Sequence, residues 1–243
     1  MTHVAHPYVQ RIGTNRDWRS RWITTNPKQF REFIRVDNEV RRWLEKRLKT
    51  MSIDAIEIER DEKSIRIIIK SARPGLIIGR SGEGVAKLKK DLDLFFRKLK
   101  LAEKPEIKVD IEEIRSPEAS AQIVGQMIAE GLEKRMTFRR VMKQTVEKVM
   151  ANRDVQGVRV ILAGRLGGAD MARREELKKG RVPLQTLRAD IDFARVTARL
   201  PYGAIGIKVW IYRGEVFGDR TQNQTEDRPT RPAARRDNTR PTK

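Results

Sequence analysis

Leu76-Ile77-Ile78-Gly79-Arg80-Ser81-Gly82-Glu83-Gly84-Val85 is the stretch that decides the fold of this chain. Two familiar phosphate-binding patterns fail on it. Gly79 and Gly84 have the spacing of a P-loop, but Val85-Ala86 stand where the phosphate-gripping lysine and the magnesium-binding hydroxyl are required. A dinucleotide fingerprint counted from Gly82 places Lys87 where its third glycine belongs, and no parallel strand–helix–strand unit surrounds it. What remains is an apolar Ile77-Ile78, a glycine, a two-residue tip carrying Arg80, and a second glycine opening a helix. Two glycines let the backbone come close to a sugar–phosphate chain, and the helix after Gly82 aims its first amides at phosphate. Standing alone, G-x-x-G is an ordinary turn.

The neighbouring segments give the loop its context. Upstream, Pro27 to Thr50 has a helical period, with Phe30, Phe33, Ile34, Val40, Leu44 and Leu48 as its apolar stripe. Two alternating runs follow, Ile53–Ile58 and Ile65–Ile69, joined by the polar turn Arg60-Asp61-Glu62-Lys63, which predicts a hairpin. Downstream, Val85, Leu88, Leu92, Phe95, Phe96 and Leu99 recur at helical steps until Pro105, and Ile107, Val109 and Ile111 make a third strand. Helix, strand, strand, glycine loop, helix, strand predicts one antiparallel sheet backed by helices. Residues 1–26 carry no period, yet hold Trp18 and Trp22 among Arg11, Arg16, Arg19 and Arg21. Large aromatics in a basic arm point to docking, because free tails seldom keep them.

A second unit opens at Ser116-Pro117-Glu118, a capping serine before proline at the first helical position. This predicts a helix to about Arg135 and a second, capped by Thr137, to about Met150. Strands are expected at Val158–Leu162, around Asp170–Leu177, at Leu187–Leu200 and at Ile205–Tyr212. Arg173–Lys179 fits a short helix equally well. After Gly218 the composition turns basic and proline-bearing with almost nothing apolar, which predicts a disordered tail.

With 53 Lys and Arg against 33 Asp and Glu, the chain carries a formal charge of +20. Self-repulsion of that size calls for a polyanion, and nucleic acid rewards each well-placed cation by releasing counterions. A membrane is the rival partner. No run approaches the ~20 apolar residues needed to span a bilayer, and no lone basic amphipathic helix would lie on one. The chain has no cysteine, which excludes disulfides and thiolate metal sites, and its N-terminus lacks a signal-peptide run.

Taken with its flanking elements, the loop resembles the G-x-x-G of a KH domain, in the type II arrangement of bacteria. The second half extends the likeness. Phe138–Lys143, Gly164–Ala169, Gly180–Asp192 and Tyr202–Ile211 resemble the bacterial small-subunit ribosomal protein 3 family, and His6-Pro7, Arg11, Gly13, Trp18, Ser20 and Trp22 fit its N-terminal arm. The similarity covers roughly residues 1–218. It implies an α+β fold: an arm (1–26), a type II KH domain with a three-stranded sheet backed by helices (27–113), a second α+β domain with two helices on a four-stranded mainly antiparallel sheet (114–218), and the tail (219–243). Three departures stand out, one being that the long tail matches no motif of the family. Tyr8-Val9-Gln10 replaces the family's usual asparagine and glycine, and Ser81 sits where a basic residue or glycine is common at the loop tip.

The resemblance also implies a cytoplasmic ribosomal component of the subunit head, without cofactor or metal. It would contact small-subunit ribosomal RNA, messenger RNA and neighbouring proteins (10 and 14 in the head, 4 and 5 where the messenger enters). Gly79, Arg80, Ser81 and Gly82 are its RNA-binding loop. Arg139, Arg140 and Lys143 map to the residues implicated in opening messenger helices, and Arg135 joins them by i, i+4 spacing. The bland reading of that helix is a solvated basic face. Arg11, Arg16, Trp18, Arg19, Arg21, Trp22, Arg165, Arg181 and Arg188 are candidates for ribosomal RNA contact, since phosphate contacts position a protein without reading sequence. In Gly164–Ala169 and Tyr202–Gly206, tight turns between strands compete with close RNA contact.

Catalysis finds little to stand on. The histidines are His3 and His6, both in the arm, and no cysteine is present. Asp190 and Asp192 alternate on one side of a predicted strand, as a metal-assisted phosphodiesterase would need, but neighbouring arginines offer them simpler partners. A free-standing KH regulator is the other alternative, though it has no evident use for the arm or the second unit.

Overall fold

The computed structural model describes residues 5–61, 64–99 and 106–217. Part of the predicted turn at Glu62-Lys63, the stop at Pro105 and the predicted tail lie outside the described residues.

The arm, patternless in sequence, holds two short elements. Helix α1 (Pro7–Arg11) is opened by His6, whose Nδ1 accepts the Tyr8 amide at 3.2 Å, with proline at its first position. Strand β1 (Ser20–Arg21) pairs in parallel with the next strand of the chain. Neither could persist alone, because isolated helices this short are unstable in water. Tertiary contacts hold both in place.

Asn26 caps the long helix α2 (Pro27–Arg47), its Oδ1 accepting the Lys28 amide at 3.0 Å. The predicted stripe is right only in its second half. Val40, Leu44 and Leu48 are buried, but Phe30 and Ile34 are each 48% exposed, and Val36 takes their place in the core. Strands β2 (Ile53–Arg60) and β3 (Ser64–Ser71) form the predicted hairpin. A short helix α3 (Pro74–Ile78), the glycine loop and helix α4 (Glu83–Lys98) lead to strand β4 (Glu106–Glu113). The sheet runs β1-β2-β3-β4 and is mixed, not antiparallel as expected: β4 lies parallel to β3. The reason is connectivity, since a helical crossover returns the chain to the end of the sheet where it began. Ile58, Ile67 and Ile69 of the sheet pack with Val40 and Leu44 of α2 and Leu88 and Leu92 of α4.

The first helix of the second unit is capped four residues later than the sequence suggested. Ser116-Pro117 opens a 3-10 turn, Pro117–Ala119, and Ser120 caps helix α5 (Ala121–Glu133) with its hydroxyl accepting the Ile123 amide at 3.4 Å. Helix α6 (Phe138–Met150) follows after a turn. Strands β5 (Gly157–Gly164), β6 (Arg173–Gly180), β7 (Ala189–Leu200) and β8 (Gly203–Glu215) form an antiparallel sheet in the order β6-β5-β8-β7. The helix allowed for Arg173–Lys179 is a strand. Ile205, Ile207, Val209 and Ile211 share one face and meet α5 and α6 in the larger core, as predicted. On the opposite face, Ile161, Ile191, Phe193, Trp210 and Tyr212 are covered by Tyr8 of the arm with Val182 and Leu184.

Strand β2 of the first unit meets helix α5 of the second at a polar joint. Ser120 donates to Asp54 at 2.5 Å, and the Gln126 amide nitrogen donates to the Ile53 carbonyl at 3.0 Å.

Candidate nucleic-acid interface

The glycine loop joins the short helix α3 to the longer α4. Gly79 ends α3 with φ 71°, and Gly82, with φ 81°, starts α4. Between them Ser81 is held at φ 52°, a left-handed conformation that disfavours residues with a Cβ. Arg80 and Ser81 both face solvent. The element missed in the sequence is Gly84. A Cβ there would stand 2.3 Å from the Ile77 carbonyl oxygen and 2.8 Å from that of Ile78, so α4 touches α3 backbone to backbone. Glycine at the fifth place after Gly79, the very feature that suggests a P-loop, is the signal for this contact. Leu76 and Ile78 are left exposed beside the loop. The loop therefore offers a basic tip, the N-terminal end of α4 and an apolar flank, which suits single-stranded RNA.

The basic residues of the second unit divide differently than spacing predicted. Arg139, Arg140 and Lys143 are exposed on α6. Arg135 is not on that helix: it lies in the turn after α5, at φ 61°. Its i, i+4 relation to Arg139 is broken by this turn, although it remains exposed nearby. The Arg139 guanidinium sits 5.6 Å from the Phe138 ring centre and 3.7 Å from Glu175. Arg140 and Lys143 form no ion pair among the described residues.

Several predicted RNA contacts turn out to be internal. Arg11 is buried, and its guanidinium donates to the carbonyls of Pro7, Leu184, Thr186 and Ala189 at 2.8–3.0 Å. That geometry removes it from the RNA-contact set, because a phosphate cannot reach it. Arg16 bridges Asp190 at 3.0 Å and Asp192 at 3.4 Å. Arg21 pairs with Glu57 and Glu59. The Trp22 indole donates to buried Asp37 at 2.9 Å and packs edge-on against Phe30 and Phe33. Arg165 braces the Ala169 and Tyr202 carbonyls, and Arg188 pairs with Glu215 at 2.5 Å. Trp18, Arg19 and Arg181 remain exposed, and so does Arg188 despite its pairing.

Two buried aspartates organise these contacts. Asp37 takes Arg60 at 2.5 Å, Ser20 at 2.9 Å and Trp22. Asp192 accepts the Tyr8 hydroxyl, the Ala121 amide at 2.7 Å and the Arg213 guanidinium at 3.1 Å. Burial works against the Asp192 carboxylate, but Arg16, Arg213, the Tyr8 hydroxyl and the Ala121 amide outweigh it and hold its pKa below the ordinary 3.8. Asp54 moves the other way, its pKa raised by burial and by the charge of Asp192. Arg213 also reaches Asp190 at 3.8 Å. Asp190 and Asp192 are thus neutralised by two guanidinium groups, which leaves no open carboxylate pair for a cation. Among the described residues no helix is long and apolar enough to cross a membrane.

Comparison with known proteins agrees with both halves of the fold. The family described as "KH domain" matches residues 39–119, and "Ribosomal protein S3, C-terminal domain" matches residues 128–211. The chain is 44% identical to the small ribosomal subunit protein uS3 of Caldicellulosiruptor bescii over 217 residues, 89% of this chain and 94% of the relative. It is 43% identical to uS3 of Alcanivorax borkumensis over 236 residues, 97% of this chain and 99% of the relative. Endomicrobium trichonymphae uS3 is 44% identical over 227 residues, 93% of this chain. Identity at this level across the arm, the loop and both sheets means that the chain belongs to the small ribosomal subunit protein uS3 family.

Proposed function

We propose that this protein lines the channel where messenger RNA enters the small subunit, using the exposed face of α6 to hold the incoming strand. As a uS3 family member it is an RNA-binding structural component of the small subunit in the cytoplasm, not an enzyme. The observation that supports the finer role is the arrangement of Arg139, Arg140 and Lys143: exposed, on one helix, and held out by a helix whose opposite face is buried in the core. Cations fixed this way meet phosphates of successive nucleotides without reading bases. Such a face separates strands passively, because holding one strand lets translocation by the ribosome do the mechanical work.

The glycine loop is a second RNA contact in this reading, with Arg80 and the α4 amides facing the backbone. Ribosomal RNA is the main partner of the remaining exposed cations. Proteins 10 and 14 in the head, and 4 and 5 near the messenger's path, are the proposed protein neighbours. The test is translation by subunits carrying R139A/R140A/K143A. Slower passage through a messenger hairpin, with an unstructured messenger read at the normal rate, is the expected result. Equal rates on both messengers would sink the proposal.

A further inference from the structure

Beside the α6 face lies a recess that neither the core nor the basic helix accounts for. It has a volume of about 520 Å³ and opens between the α5–α6 turn and the β7–β8 turn. Met136, Phe138, Leu200, Pro201 and Tyr202 line it, and Arg135 stands at its lip. Met136 and Tyr202 are 39% and 38% exposed, so a thioether and an aromatic ring are left to water in two tight turns. The backbone enforces this. The Arg135 amide donates to the Leu132 carbonyl at 2.9 Å and the Met136 amide to that of Gly131 at 3.1 Å, which locks Arg135 at φ 61° beside the recess.

We infer that this recess takes an unpaired nucleobase of the RNA strand held by α6, an inference that rests on the reading of α6 as an RNA-engaging face. The chemistry is that of a nucleotide in negative. The floor is apolar and aromatic, which suits the flat face of a base of any sequence. The surroundings are cationic. Arg139 and Arg173 hold their guanidinium groups 5.6 Å and 5.4 Å from the Phe138 ring, and the Arg165 side chain donates to the Tyr202 carbonyl at 3.1 Å. A protein side chain could fill the floor, but its backbone would then meet several arginines without supplying charge. A phosphodiester supplies that charge at every residue. Position favours RNA too, because Phe138 starts the helix that bears Arg139, Arg140 and Lys143. A strand held on that face has its bases within reach of the recess as they leave a duplex.

The test measures binding of the full chain to two labelled strands of about twelve nucleotides: oligoadenylate and an abasic strand with the same phosphates. Salt is raised until backbone binding no longer saturates the chain. Y202A is expected to weaken oligoadenylate binding on the order of tenfold and to leave the abasic strand unchanged, whereas Y202F keeps full affinity. T137W alters an exposed cap position whose side chain makes no capping hydrogen bond, and it fills the mouth of the recess without touching the core. It should act like Y202A even if that variant loosens the hairpin. Equal effects on both strands, or none from either variant, overturn the inference. In assembled small subunits, crosslinking of Tyr202 to a protein instead of RNA overturns it as well. The R139A/R140A/K143A variant separates the two readings. If it weakens both strands while Y202A is silent, the recess fails alone. If it changes neither while Y202A stays base-selective, the α6 reading fails, and the inference fails with it in this form, because the recess then takes a base from a strand that α6 does not hold.

Discussion

Asp192 draws together three parts of this structure. Its oxygens receive Tyr8 from the arm, the Ala121 amide at the start of α5 and Arg213 from β8, with Arg16 close by. A carboxylate at a helix N-terminus also gains from the dipole there. Replacing it leaves the Ala121 amide and the Tyr8 hydroxyl without their acceptor, and Arg16 and Arg213 with Asp190 alone to share. D192A is therefore expected to lose about 3–5 kcal/mol of stability, the range for breaking a buried charge pair. Urea unfolding of the variant, read by the loss of secondary structure, would show this as a lower midpoint at unchanged slope. Alternation in the sequence had placed Asp190 and Asp192 together and offered arginines as partners, which is what the structure contains. It could not name Arg16 and Arg213, since those partners lie 174 and 21 positions away. Arg11 was unreadable for a related reason. An arginine's type says nothing of its burial, and three of the four carbonyls that receive Arg11 lie more than 170 residues later.

Among the elements, the long amphipathic ones were legible and the short or charged ones were not. The length of α2 and α6 gives several repeats of the helical period, so their existence was secure, and so was the hairpin β2–β3. The start of α5 was misplaced because Ser116, just before Pro117, and Ser120, three residues after it, are both capping serines, and only tertiary structure selects Ser120, whose hydroxyl also meets Asp54. Strand β6 was ambiguous because Arg173-Arg174-Glu175-Glu176-Leu177-Lys178-Lys179 is made of helix-forming residues. It is an edge strand, where charges discourage further pairing, and its match with β5 along the whole length overrides propensity. The loop's outline was legible from Gly79 and Gly82, but Gly84's packing on α3 was not. The turn between α5 and α6 yields a prediction at this scale. Arg135 holds a left-handed conformation at a cost of roughly 1 kcal/mol. R135G should raise the melting temperature by a few degrees, corresponding to a gain of up to ~1 kcal/mol. A lower melting temperature would mean that the Arg135 side chain is holding the turn.

At the scale of the whole molecule, the arm ties two sheets together and makes the tie sensitive to acid. His6 accepts the Tyr8 amide and sits edge-on to Phe193, 4.7 Å between ring centres. Burial, with Arg195 and Arg19 nearby, lowers its pKa from the usual 6.5. Its neutral form is favoured in the fold, so its contribution is present above pH 6.5 and is lost as pH falls through the lowered value. Asp192 follows the same sign lower down: its contribution is present above 3.8 and disappears as pH drops through its depressed pKa. Asp54, raised by burial and by the charge of Asp192, runs opposite: that cost is relieved as the carboxyl takes up a proton, although the Ser120 hydrogen bond itself favours the ionised form. Proteolytic cleavage within the arm should accelerate first just below pH 6.5 and again in stronger acid. H6Q should remove the first step and keep the second. A single step in both proteins would show that His6 has no part in the tie.

The two-ended anchoring of the arm also orders events in time. Residues 20–22 can seat on Asp37 and β2 once the KH half exists, whereas Tyr8, Arg11 and Arg16 wait for β7 and the loop before it, up to 185 positions downstream. A chain emerging from its N-terminus must therefore carry the first stretch unsatisfied until nearly all described residues have been synthesised. Contacts of such span close slowly, because the intervening loop entropy is lost before any gain is returned. The arm is thus the latch of the fold. It is made first and fastened last, and until it fastens, the Phe193–Trp210 face of the second sheet stays open to water and to chaperones.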